Sequence, residues 1–203
     1  MSYSACFVCN RCNRCCQNAS NLALFEWEVD RLKKKDKNAD IRPAIIGRVN
    51  GTEVILQWAL KDSGKGHCCF LKKSKCSIYK DRPLVCQAFP LIKSGLLKGD
   101  QEKIIDQECP SCIFPLKAGE ELKRAEYSKR MSHAYCETFN AAIRLDAARS
   151  WISDLYQFTA RKMRGKQTNG DRLERIGLLE FVKSTGLMTE KEIEYEIKQL
   201  TSR

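Results

Sequence analysis

The order of apolar and polar positions divides this chain near residue 116 into two stretches of different character. Residues 1–20 show neither strand nor helix periodicity and read as loop. Leu22–Phe25 is apolar enough for a short strand, and it runs into an amphipathic stretch from Glu26 to Lys35 that predicts a helix. The three lysines closing that stretch suit the negative end of a helix dipole. Ile41–Val49 and Thr52–Leu60 predict two strands joined at Asn50-Gly51, the pair that a tight hairpin turn prefers. Residues 61–66 read as a turn. Residues 67–90 predict a short hairpin, then one or two helical turns after Pro83, which suits a first helical position. Leu91–Leu97 and Lys103–Ile105, separated by Lys98-Gly99-Asp100, predict another strand pair.

Past Pro115 the period changes. Residues 118–164 contain no proline and one glycine, Gly119, and their apolar positions recur at helical spacing. So long a run predicts two helices or one with a kink. Residues 164–170 read as loop, and Asp171–Ser184 as a helix ended by Gly186. Thr189 with Glu192 forms a capping box that opens a last helix to about Leu200. The fold class is α+β: residues 1–116 form a cysteine-rich half with short strands, and residues 117–203 an all-helical extension.

Cysteine usage changes the picture of the first half. The chain of 203 residues holds twelve cysteines, five of them between Cys6 and Cys16. Thiols at two-residue gaps converge on a metal more readily than on one another, because a turn at each gap points successive sulfurs into one site. A disulfide scaffold is the competing reading. It is disfavoured because the N-terminus shows no charged-then-apolar export signal, which leaves the thiols in a reducing compartment. The expected location is the cytoplasm. No apolar run reaches the roughly 20 residues that cross a bilayer, so no membrane partner is expected.

The formal charge is +11, from 36 basic and 25 acidic residues. Metal-bound thiolates would offset part of it. The remainder suits a solvated surface, an acidic protein or redox partner, or nucleic acid. Basic residues lie in short clusters (Lys33–Lys35, Lys72–Lys73, Arg161–Arg164), without a long tract.

Cys6, Cys9, Cys12 and Cys16 follow the ferredoxin spacing, with Gln17 where ferredoxins place proline. An alternative grouping takes Cys9, Cys12, Cys15 and Cys16 as C-x2-C-x2-C-C. With it goes a second block: Cys69-Phe-Leu, Cys76-Ser-Ile-Tyr, Arg82-Pro83 and Cys86-Gln-Ala-Phe-Pro. These two blocks, in this order, resemble the YkgJ-like cysteine-cluster family, the zinc- or iron-chelating CxxCxxCC domain. The resemblance covers about residues 6–112. It implies metal ligation by Cys9, Cys12, Cys15, Cys16, Cys69, Cys76, Cys86 and Cys109, either as two four-ligand sites or as one larger cluster. Asn13 stands where family members commonly carry glycine. Cys6, Cys68, Cys112 and Cys136 fall outside the matched set, as does the helical extension. Cys136, beside Tyr135 on an apolar helical side, reads as core.

Three functional readings remain open. The favoured cofactor is an iron–sulfur cluster, of the four-iron four-sulfur type, with zinc as the rival; all-cysteine ligation and adjacent thiols favour iron. Such a protein would serve redox or electron transfer, or hold metal as a staple. The second reading is a zinc-stapled module that binds nucleic acid or protein. The third is an enzyme of, or accessory to, lysine N-methylation, since flagellin lysine N-methylases carry a similar cysteine cluster. No phosphate-binding loop, dinucleotide fingerprint or catalytic constellation is present. Tyr79, Phe89 and Pro90 are expected to wall the metal site. Arg82 is expected to hydrogen-bond cluster sulfurs or a carbonyl, and His67 is a further candidate ligand.

Overall fold

A computed structural model of the protein describes residues 5–7, 13–17, 19–64, 66–89, 113–115, 121–166 and 175–202. The chain is α+β and forms two compact units, one from Met1–Ala19 and Gly66–Leu145 and the other from Ser20–Lys65 and Asp146–Arg203.

In the second unit, β2 (Asn21–Leu24) leads into α2 (Glu26–Lys35), followed by the hairpin β3 (Ile41–Val49) and β4 (Thr52–Lys61). The turn is the one its dipeptide predicts. Val49 pairs with Thr52, and Asn50 and Gly51 have φ of 47° and 84°. Left-handed values at both central positions match the right-handed twist of the flanking strands. The Asn50 amide also donates to the carbonyls of Met163 and Lys166, fixing the turn against the end of the long helix. β4 is central, with β2 and β8 (Arg175–Gly177) along one edge and β3 along the other. Pro43 has no amide to donate, so it sits in β3 at the outer edge, where the register slips.

Strand β8 departs from the sequence expectation, which ran one helix through Asp171–Ser184. Arg175–Gly177 instead pairs in parallel with Glu53–Ile55. β2 covers only Trp58–Lys61 of β4. The exposed remainder of that edge offers hydrogen bonds that a helix could not use, and Arg175 Nε seals the pairing on Glu53 Oε2 at 2.7 Å. A helix follows only after Gly177, as α5 (Leu178–Ser184). Gly186, at φ 69°, ends it with the Leu187 amide donating to the Val182 carbonyl, a left-handed cap. Thr189 and Glu192 cap each other at the start of α6 (Glu190–Thr201).

The long helix α4 (Glu121–Met163, 43 residues) is continuous, not two helices. Its C-terminal part packs Met163 with Val49, Val54 and Phe181, flanked by Leu56, Tyr156 and Ile176. Gly47 makes room for Tyr156: a β-carbon there would lie 2.6 Å from Tyr156 Cε2. The Tyr156 hydroxyl accepts from the Arg48 amide and donates to the Arg48 carbonyl.

Glu26 ties α2 to α5 by accepting the Leu179 and Glu180 amides at 2.9 and 3.1 Å. Burial raises its pKa, partly opposed by those two amides. A carboxyl raised in the folded state binds more protons there than in the unfolded chain. Its contribution to stability is therefore greatest in acid and declines as pH rises from about 4 through the raised value. Glu26→Gln should remove this decline. The urea midpoint of wild type should fall relative to that of the variant as pH rises through that window.

In the first unit, β1 (Ala5–Phe7) pairs with β7 (Ile113–Pro115), placing Cys6 opposite Phe114 in the backbone register. α1 (Arg14–Gln17), the two-residue strands β5 (Leu71–Lys72) and β6 (Lys75–Cys76), a 3-10 turn at Tyr79–Asp81 and α3 (Leu84–Ala88) complete its described elements. Phe70, Ile78, Leu84, Val85 and Ala88 are buried. The strand pair expected at Leu91–Leu97 and Lys103–Ile105 lies outside the described residues. No helix among the described residues is long and apolar enough to cross a membrane.

Candidate metal centre

The two cysteine blocks meet through the backbone first. Asn13 adopts φ 61°, and its carbonyl accepts from the Cys16 and Gln17 amides, which winds α1 into a single turn. The Cys16 carbonyl then accepts from the Cys68 amide at 2.8 Å. From Cys68 the chain closes the β5–β6 hairpin, with the Leu71 amide donating to the Cys68 carbonyl and the Ser77 amide to the Phe70 carbonyl. Leu71 pairs with Cys76 in that hairpin. The adjacent pair Cys15–Cys16 is thereby held beside Cys68–Cys69 and Cys76, although more than fifty residues separate the blocks in sequence.

Left-handed φ explains the departure at Asn13. Glycine reaches that region freely, and asparagine tolerates it better than most side chains. Asn13 also contributes what glycine cannot, a 2.7 Å bond from its side-chain amide to the Ser74 carbonyl at the hairpin tip. Asn13→Ala should cost about 2–3 kcal/mol, from the strained φ and the lost bond together. Asn13→Gly, which loses the bond alone, should cost about 1 kcal/mol. Denaturant melts of the two variants check the order.

The sulfurs are in contact. Cys16 holds the one proton that the thiolates of Cys15 and Cys76 compete for, and its pKa is strongly raised. Hydrogen bonding with Cys16 lowers Cys15 to about 7, against the opposing effect of partial desolvation. Cys76 falls to about 6 for the same first reason, helped by the Ile78 amide and the Arg82 charge. Cys68 is lowered by a hydrogen bond from Cys69 and feels the charges of Cys76 and Cys15. Cys68, outside the family-matched set, is therefore part of the cluster and is buried. Its adjacency to Cys69 was the one sequence signal for it. None of Cys15, Cys16, Cys68, Cys69, Cys76 and Cys86 is in a disulfide.

Cys86 lies in α3, one turn past Pro83. Cys9, Cys12, Cys109 and Cys112 lie outside the described residues, as does the side chain of Cys136. Among the described residues no three His, Cys, Asp or Glu side chains form a ready-made metal cage. The thiols meet instead as hydrogen-bonded neighbours.

The donor chemistry nonetheless fits a thiophilic metal. Several sulfurs face one another, some already drawn toward the thiolate that binds metal. Arg82 supplies a second sign. Its guanidinium lies 4.1 Å from the centroid of the Tyr79 ring. Its buried Nε–H has no hydrogen-bond acceptor among the described residues. The expected bond to a sulfur or carbonyl is thus not made at that atom. The His67 ring nitrogen Nδ1 is 3.2 Å from the Cys68 carbonyl.

Residues 8–113 match the CxxCxxCC family, whose description reads "Putative zinc- or iron-chelating domain". The match covers more than half of the chain, and the protein belongs to that family of metal-chelating cysteine domains. No curated protein and no solved structure matches it.

Proposed function

We propose that this protein binds an iron–sulfur cluster through thiolates of both cysteine blocks and uses it in electron transfer. The observation that carries the reading is the joining of the two cysteine blocks, where the Cys16 carbonyl accepts from the Cys68 amide at 2.8 Å and brings the Cys15–Cys16 pair beside Cys68–Cys69. Cys9, Cys12, Cys15, Cys16, Cys69, Cys76, Cys86 and Cys109 are the proposed ligand set, with Cys68 added from its burial beside Cys69. Iron is favoured over zinc because the donors are sulfur only and occur as adjacent pairs. When bound, the group would accept and release single electrons.

The chain's own part is to gather and charge the sulfurs. The Asn13 turn and the Cys16–Cys68 backbone bond set the spacing of the two blocks. Arg82 places positive charge near Cys76, and a metal-bound sulfur would be a suitable acceptor for its unpartnered Nε–H. Phe70 and Ile78, close in sequence to Cys69 and Cys76, are buried.

Anaerobic purification followed by absorption spectroscopy and metal analysis tests the proposal. Broad visible absorption with iron and acid-labile sulfide is the expected result. A colourless protein with stoichiometric zinc would replace it by the zinc-stapled binding module.

A further inference from the structure

The rim of the cysteine cluster is basic and carries two local costs. Lys72 and Lys75 are direct cross-strand partners in the β5–β6 hairpin. Like charges in that position repel. Between them Lys73 and Ser74 both hold left-handed φ, 48° and 59°, without a glycine. An Asn-Gly pair would make the same turn with less strain, as it does at residues 50–51. Arg14, Lys72, Lys73, Lys75 and Lys80 are all exposed, and none pairs with an acidic group among the described residues. No Asp or Glu occurs between residues 66 and 80 or between 13 and 17. Strain and repulsion kept at one place point to a use for that place.

We propose that the β5–β6 hairpin and Arg14 form a docking surface for an acidic face of a partner protein that works with the cysteine centre. The proposal rests on the metal-binding reading only for the partner's role, not for the docking. Charge complementarity identifies the partner as acidic. Protein is favoured over nucleic acid because the surface offers no stacking platform: Phe70 is buried, and the Tyr79 ring is faced by Arg82. Four of the five cations are lysines, point charges without the fork that reads base edges. Cys15 is exposed beside Arg14, so a docked partner would come close to the sulfur cluster.

The test uses the full chain and a fluorescent twenty-residue polyglutamate peptide, with an oligothymidine of matched charge as the second probe. The variant Lys72→Gln, Lys73→Asn, Lys75→Gln is compared with the control Lys33→Gln, Lys34→Gln, Lys35→Gln at the end of α2. Expected are peptide binding that weakens with salt, an affinity loss of about tenfold in the hairpin variant, and a loss below about twofold in the control. The hairpin variant should also unfold at a higher urea concentration, because repulsion and strain are relieved. Equal losses in both variants would overturn the proposal, since net charge alone would then explain binding. Hairpin-dependent binding of the oligothymidine without the peptide would overturn it in favour of nucleic acid. Metal content is measured on every sample. A metal-free wild type that still binds peptide through the hairpin would sink the metal reading and leave the docking surface standing.

Discussion

Replacing Cys76 by serine is expected to lower the metal content of the anaerobically purified protein to below about a tenth of wild type. Loss of one supporting hydrogen bond around a metal already costs about 10–100-fold in affinity, and a missing ligand should cost at least that. Cys76 is the strongest choice because it joins the blocks: it takes a hydrogen bond from Cys16, lies near the Arg82 charge and pairs with Leu71 in the hairpin. Serine keeps the size and removes the soft donor. Cys16→Ser should behave alike, since its thiol shares a proton with both neighbouring cysteines and its carbonyl holds the second block. Because metal binding and folding are coupled, both variants should also melt earlier than wild type. Iron and zinc analysis beside a thermal melt reads both effects. Full metal retention in both variants would remove these two residues from the ligand set.

Gly177→Ala should be among the most damaging single changes outside the cysteine cluster. A β-carbon at Gly177 would fall onto the Glu26 carboxylate. That carboxylate is not a loose chain end, because it holds the amides of Leu179 and Glu180. Moving it leaves two amides at the start of α5 without their partner. The expected loss is about 2–4 kcal/mol, read as a lower urea midpoint with an unchanged slope. If the clash is the cause, the effect depends on Glu26. Gly177→Ala made on a Glu26→Ala background should cost less than about 1 kcal/mol more. Additive losses would place the cause elsewhere.

Local chemistry made much of the fold readable. Asn50-Gly51 between β-branched runs gave the hairpin with its turn, and Thr189 with Glu192 marked the start of α6. Both signals act over a few residues and need no knowledge of the rest of the chain. β8 was hidden because it depends on a vacant edge of β4 more than a hundred residues upstream, and nothing within Arg175–Gly177 announces a parallel partner. The long helix stays open in the sequence between two helices and one with a kink for a related reason: the apolar pattern cannot say whether a chain turns back, and the two-helix alternative is the one the structure sets aside.

The cysteine centre divides in the same way. Spacing and block order were visible as a family pattern. The join between blocks was not, because it runs through the Cys16 carbonyl and the Cys68 amide, backbone groups that do not depend on the side chain. The reason for Asn13 was likewise invisible until its left-handed φ and its bond to the Ser74 carbonyl were seen.

X-ray absorption at the metal edge, on the anaerobically purified full chain, tests the central claim most directly. Gathered thiolates predict bound metal with a first shell of sulfur alone, for zinc at about 2.3 Å, and for iron with a second shell of neighbouring iron. A first shell of nitrogen or oxygen, or a chain that retains no metal while its thiols stay reduced, would contradict it.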